Sequence, residues 1–134
     1  MVGFSHQIQV RHIVVDKKEV AELLKGTINE IKSAAGRIKM LMRLAEKYSL
    51  CDSKEDGGNL GWIELGSDDP RIKHYDPVLN NVELEKVIRQ GVKDMALNYG
   101  EVFGPVETGE GFHLVMITNE FGSERSTAFT GSAI

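Results

Sequence analysis

The stretch that most constrains this chain is residues 8–15, Ile-Gln-Val-Arg-His-Ile-Val-Val. Its β-branched side chains mark a strand. Its second half, Ile13, Val14 and Val15, is apolar on both faces. Such a strand belongs in the middle of a sheet, where neither face meets water. The chain must therefore build a sheet around residues 8–15 and cover it with apolar surface.

Helical periodicity supplies that cover. Val20, Leu23, Leu24, Thr27, Ile28 and Ile31 recur at helical spacing and predict an amphipathic helix over 17–34. Asp16 is its expected N-cap, with Glu19 three residues on completing a capping-box pattern. Gly36 punctuates, and Ile38, Leu41, Met42, Leu44, Ala45 and Tyr48 predict a second helix to about residue 49. Residues 51–58 read as a polar loop or a short helical turn, and 59–65 as a short strand. Leu84, Val87, Ile88, Val92, Met95 and Tyr99 predict a third helix with Gly100 as its C-cap. Strands are expected at 102–107 and 111–119, joined by the hairpin signal Thr-Gly-Glu-Gly. The order β-α-α-β-α-β-β favours an α+β fold with a small antiparallel or mixed sheet over a doubly wound one. With helices on one face, the second face is left partly free for a site.

The 134 residues suffice for one domain with its own core. We divide them into a lead-in at 1–7, a folded unit at 8–121 and a flexible tail at 122–134. Residues 66–86, with Pro70 and Pro77, read as an insertion or lid. No apolar run reaches the roughly 18 residues of a membrane span. A single cysteine excludes an internal disulfide framework and fits a reducing compartment, with the cytoplasm expected. A net charge of −4 argues against wholesale nucleic-acid binding. Lys25, Lys32, Arg37, Lys39, Arg43 and Lys47 suggest a basic patch on the first two helices, but Glu22, Glu30 and Glu46 offset it, and a solvated face is expected. No histidine pair at i,i+4 and no Cys-x-x-Cys support a metal site.

Two histidines stand out because they fall inside predicted strands, His12 in the first and His113 in the last. A half-buried imidazole must find a hydrogen-bond partner. Strand alternation groups His12 with Val10 and Val14, and His113 with Gly111, Val115 and Ile117. Residues alone allow either two unrelated core histidines or a working pair. Cys51, just after the second helix, is open between a site thiol and a small buried residue.

Five blocks in order resemble the parvulin family of peptidyl-prolyl isomerases. They are Val-Arg-His-Ile-Val-Val (10–15), Leu-Ala-Glu-Lys-Tyr-Ser (44–49) running into Cys51, Gly-Gly-Asn-Leu-Gly-Trp (57–62), Gly-Glu-Val-Phe-Gly-Pro-Val (100–106) and Gly-Phe-His-Leu-Val (111–115). The resemblance implies a β-α-α-α-β-α-β-β fold around a four-stranded sheet, with 52–56 as the extra helical turn. It implies rotation about X–Pro bonds in protein clients, with no cofactor and no metal. His12 and His113 fall on the family's paired histidines and Cys51 on the cysteine or aspartate beside them. Leu60 falls on a pocket leucine and Thr108 on a hydroxyl residue before the last strand.

The chain departs from the family's pattern in one region. Residues 66–86 are longer than usual and hold no methionine or phenylalanine for the proline pocket. An ungapped count from Gly100 puts Gln90 at the phenylalanine position. A shift by part of a turn offers Val87 or Ile88 as substrate-binding residues, and Tyr75 is a further candidate. Lys17 and Lys18 are the only basic residues in the first loop, so phosphoserine-proline selectivity is not expected. The expected partner is thus a proline-containing peptide or protein, bound by a monomer. A proline-segment binding or chaperone module with little catalysis is the alternative.

Overall fold

The computed structural model describes residues 6–66 and 78–122. In order they form β1 (His6–Val15), α1 (Lys18–Asn29), α2 (Ala34–Tyr48), a 3-10 turn (Asp52–Asp56), β2 (Asn59–Gly66), α3 (Val82–Lys93), β3 (Phe103–Thr108) and β4 (Gly111–Phe121). The sheet order is β2-β1-β4-β3, with every neighbouring pair antiparallel. The α+β class and the helix-rich order before β2 agree with the sequence reading. β1 is an interior strand, as its two apolar faces require.

Alternation along β1 and β4 separates two cores. Ile13, Val15, Leu114 and Met116 pack against Ala21, Leu24 and Ile28 of α1 and Leu41 and Ala45 of α2. On the opposite face, Ile8, Val10, Val115 and Ile117 pack against Leu84, Ile88 and Val92 of α3, with Leu97 and Ile63. The expectation of helices on one face only is therefore corrected. α3 covers part of the second face because its stripe Leu84, Ile88, Val92 is as apolar as those of α1 and α2.

Several boundaries also move. β1 starts at His6, so His6 and Gln7 belong to the sheet and not to a lead-in; Gln7 pairs with Phe121 and Glu64. α1 stops at Asn29 rather than 34. Its N-cap is Lys17, without a side-chain cap, so Asp16 does not serve. Residues from Ala34 belong to α2, which Ser33 caps by accepting the Gly36 N–H at 3.0 Å. Gly36 is thus inside the first turn and not a break.

α3 ends at Lys93, with Asp94 as C-cap, and not at Tyr99. Met95 is left-handed (φ 61°), which turns the chain out of the helix. That turn lets Leu97 plug the core and brings Tyr99 beside Ile117. The 66–86 insertion lies mostly outside the described residues, Tyr75 included, but 82–86 form the start of α3. Of the 122–134 tail only Gly122 is described.

Two of the six cations weighed for a basic patch are taken up by backbone oxygens. Lys25 donates to Gly104 O at 2.6 Å. Arg37 donates to Gly100 O, Ile31 O and Lys32 O. Lys25 thus ties β3 to α1, and Arg37 ties the Gly100 loop to α2.

Candidate functional site

β1 and β4 bring the two histidines together. The register pairs His12 with Val115 and Val14 with His113, so the imidazoles lie diagonally across adjacent strands on one face. Their Nδ1 atoms are 3.0 Å apart, and the rings stack with centroids 5.1 Å apart. Both side chains are buried, at 1% and 0% exposure. They occupy the end of the face that the apolar stripe of α3 leaves to polar groups.

Thr108, the last residue of β3, extends this pair. Its Oγ1 lies 2.7 Å from His113 Nε2. The same oxygen accepts the Glu110 N–H at 3.2 Å and an Asn81 Nδ2–H at 3.0 Å. A hydroxyl has two acceptor positions and one hydrogen. With both acceptor positions taken, Thr108 donates its hydrogen to His113 Nε2. A neutral His113 then carries its proton on Nδ1 and donates to His12 Nδ1. His12 in turn carries its proton on Nε2. That Nε2 is buried and has no hydrogen-bond partner among the described residues.

Electrostatics keep both rings neutral. Burial, reinforced by the neighbouring His113, pushes the His12 pKa down to about 3. Burial also lowers that of His113, although the carboxylates of Glu110 and Glu83 pull the other way. At pH 7 the pair is a buried, uncharged relay, and each ring has one donor and one acceptor nitrogen to match.

A strap fixes the near side of this relay. Leu50 N–H donates to Val14 O at 2.8 Å, and Ser49 Oγ accepts the Val14 N–H at 3.1 Å. The His12 N–H donates to Gly58 O at 2.9 Å, and Arg11 Nη1 donates to Asp56 O at 2.6 Å. Gly58 has φ 80°, and a Cβ there would stand 2.2 Å from His12 O, so only glycine allows this approach.

Cys51 sits on the strap, half-buried, as N-cap of the 3-10 turn. Its Sγ accepts the Ser53 N–H at 3.5 Å. Among the described residues it makes no hydrogen bond to either imidazole, so it is outside the relay that joins His12, His113 and Thr108. Leu60 on β2 is half-buried against the α3-side core. Val87 on α3 is half-buried, whereas Ile88 is fully buried and packs as a core residue. Gln90 is exposed and bonds Asp94. Beside Thr108 lies a shallow depression of about 410 Å³, lined by Asn80, Asn81, Val82, Glu83, Gly109 and Glu110.

Sequence reasoning missed three positioning groups. Ser49 and Asn81 hold the strap and Thr108. The buried Glu85 carboxylate accepts the Val78 and Leu79 N–H groups at 2.7 and 2.6 Å and pairs with Arg89. Burial raises its pKa, but these hydrogen bonds and the Arg89 charge outweigh burial and hold it below the usual value. The signal for Asn81 was present: an asparagine directly before Val-Glu-Leu-Glu reads as an N-cap.

Known proteins resemble this chain in sequence and fold. The family model described as Rotamase: PPIC-type PPIASE domain matches residues 10–119. A Rhodanese-like/PpiC domain-containing protein 12, chloroplastic, from Arabidopsis thaliana is 34% identical over 88 residues, covering 63% of this chain and 26% of that protein. A Chaperone SurA from Methylobacillus flagellatus is 30% identical over 113 residues, covering 83% of this chain and 22% of that protein. The chain thus spans about a quarter of the length of these relatives. The solution structure of NmPin, the parvuline of Nitrosopumilus maritimus, superposes with a TM-score of 0.54 at 20% identity, covering 87% of this chain and all of that one. With both histidine blocks inside the matched span, this chain belongs to the rotamase family of PPIC-type peptidyl-prolyl isomerase domains.

Proposed function

We propose that this chain catalyses cis–trans isomerisation of X–Pro bonds in proline-containing proteins. The single observation that carries the reading is the buried, neutral His12–His113–Thr108 relay within the matched rotamase span. Rotation about the X–Pro amide meets a barrier of about 18–20 kcal/mol and takes tens to hundreds of seconds unaided. No bond is made or broken, so no cofactor enters. At the twisted transition state amide resonance is lost and the proline nitrogen becomes more basic. A rigid polar floor beside an apolar wall favours that state over the planar one, because its dipoles need no reorganisation.

In this reading His12 and His113 form the floor, and Thr108 fixes their protons. Leu60 and Val87, both half-buried, supply the apolar wall, and Ile88 supports it from the core. Cys51 contributes by positioning the strap. No covalent role is assigned to it, since no base pairs with its thiol among the described residues. Lys17 and Lys18 are both exposed, and Lys18 already faces Glu22 at 4.0 Å, which supports clients that need no phosphate. The lone thiol supports a reducing compartment.

The test is exchange-spectroscopy or protease-coupled isomerisation of X-Pro tetrapeptides, including Glu-Pro, Leu-Pro and phosphoserine-Pro. Acceleration that disappears in His113→Ala is the expected result. No acceleration on any peptide by folded protein defeats the reading. A second reading, a proline-segment binding module with little turnover, is favoured by the aliphatic side chains of Leu60 and Val87, the half-buried pocket candidates among the described residues. It predicts peptide affinity without rate enhancement.

A further inference from the structure

Asn81 touches both the relay and the helix beside it. Its Oδ1 accepts the Leu84 N–H at 2.9 Å and so caps α3. Its Nδ2 donates to Thr108 Oγ1 at 3.0 Å and to Glu110 Oε1 at 2.6 Å. Only one orientation of this amide works. Turned over, it would press its NH2 against the Leu84 N–H and its oxygen against the Glu110 carboxylate. The helix cap therefore dictates that Asn81 presents a donor to Thr108.

That donor controls protons further along. The Glu110 N–H fills one acceptor position of Thr108 Oγ1, and Asn81 fills the other. The hydroxyl hydrogen is left facing His113 Nε2. We infer that Asn81 is a positioning residue that sets the tautomers of both imidazoles through Thr108, and ties them to α3, the helix that carries Val87. The link to turnover rests on the isomerase reading above. The tautomers themselves are observable without any turnover.

A carboxylate at this position reverses the relay. Under Asn81→Asp the cap survives, since a carboxylate oxygen also accepts the Leu84 N–H. The donor is lost. Thr108 then gives its hydrogen to the carboxylate, and its vacated acceptor position takes a hydrogen from His113 Nε2. His113 Nδ1 becomes an acceptor, and His12 carries its proton on Nδ1, from which it donates, instead of on Nε2. Each imidazole keeps one proton throughout, so only directions change. Combining this with Glu110→Gln replaces a carboxylate pair by an amide donating to a carboxylate, which removes the like-charge contact.

The experiment is long-range 15N–1H NMR of the histidine rings in the full chain, for wild type, E110Q and N81D/E110Q. Wild type and E110Q are expected to show His113 protonated at Nδ1 and His12 at Nε2. The double variant is expected to show the opposite nitrogens protonated on both rings. Unchanged tautomers in folded N81D/E110Q overturn the inference, as does a wild type already protonated at His113 Nε2. If the double variant does not fold, N81A replaces it. There the Thr108 hydroxyl is free to turn, so both tautomers of each ring are expected, and an unmixed wild-type pattern overturns the inference. X–Pro exchange run on the same samples separates the two claims. Swapped tautomers with no turnover in wild type defeat the isomerase reading and leave the role of Asn81 standing.

Discussion

The two faces of the sheet are built from the same strands and put to different use. On the α1–α2 face, Ile13, Val15, Leu114 and Met116 are apolar and buried without exception. On the α3 face, Ile8, Val10, Val115 and Ile117 continue that pattern, and then it breaks at His12 and His113. Each buried imidazole needs partners that an apolar side chain would not. The first face is therefore where the fold draws stability, and the polar end of the second is where it gives some up.

The largest stability effect should come from the first face. Leu114→Ala removes a fully buried side chain from the α1–α2 core. It should cost about 2–5 kcal/mol in urea unfolding, the range for such cavities. An equal effect from His113→Ala would break the comparison. That substitution leaves Thr108 and His12 without their common partner, at about 1–3 kcal/mol. Its main consequence should be in turnover, with kcat/KM reduced by about tenfold or more, each tenfold being about 1.4 kcal/mol. Retention of full activity by folded His113→Ala would remove the relay from the mechanism.

The polar end should also show itself in the pH dependence of stability. Unfolded histidine titrates near 6.5, whereas folded His12 does so at about 3. Between those values the unfolded chain holds a proton that the folded chain does not. The stabilisation is therefore complete above pH 6.5 and drains away as pH falls toward 3. His113 is lowered too and acts in the same direction. Urea unfolding at pH 7.5, 6 and 5 isolates the histidines, because Glu85, held below its usual value, releases its contribution only at lower pH. Stability should fall across this range, and less steeply in His12→Asn. A flat or inverted profile would mean that the rings are not buried neutral.

The apolar half of this comparison was legible in the sequence, and the polar half only in part. β-branched density in 8–15 announced an interior strand, and alternation placed His12 and His113 on definite faces. That the faces coincide is a matter of register, which pairs residues about a hundred positions apart and leaves no local trace. The resemblance to parvulins supplied the pairing that periodicity lacked. Periodicity failed where tertiary contacts overrode it. Met95 and Tyr99 continue the α3 spacing, yet the left-handed turn at Met95 delivers Leu97 to the core instead. Asn81 and Ser49 escaped notice because their value lies in joining elements distant in sequence.

The smallest effect should come from Cys51, and it sharpens the boundary of the polar end. The relay as built runs from Asn81 through Thr108 and His113 to His12, where it stops at an Nε2 with no partner among the described residues. Among the described residues the thiol accepts only the Ser53 N–H, at 3.5 Å, and sulfur is a weak acceptor. Cys51→Ser keeps an acceptor at this cap and should change stability by less than about 1 kcal/mol. Turnover should stay within about threefold of wild type, a difference of roughly 0.7 kcal/mol. Cys51→Ala should lose slightly more stability and no more activity. A loss of turnover comparable to that of His113→Ala, with folding intact, would place the thiol on His12 Nε2 in the working enzyme. The polar end would then extend across the strap, and the histidine pair would be its middle rather than its limit.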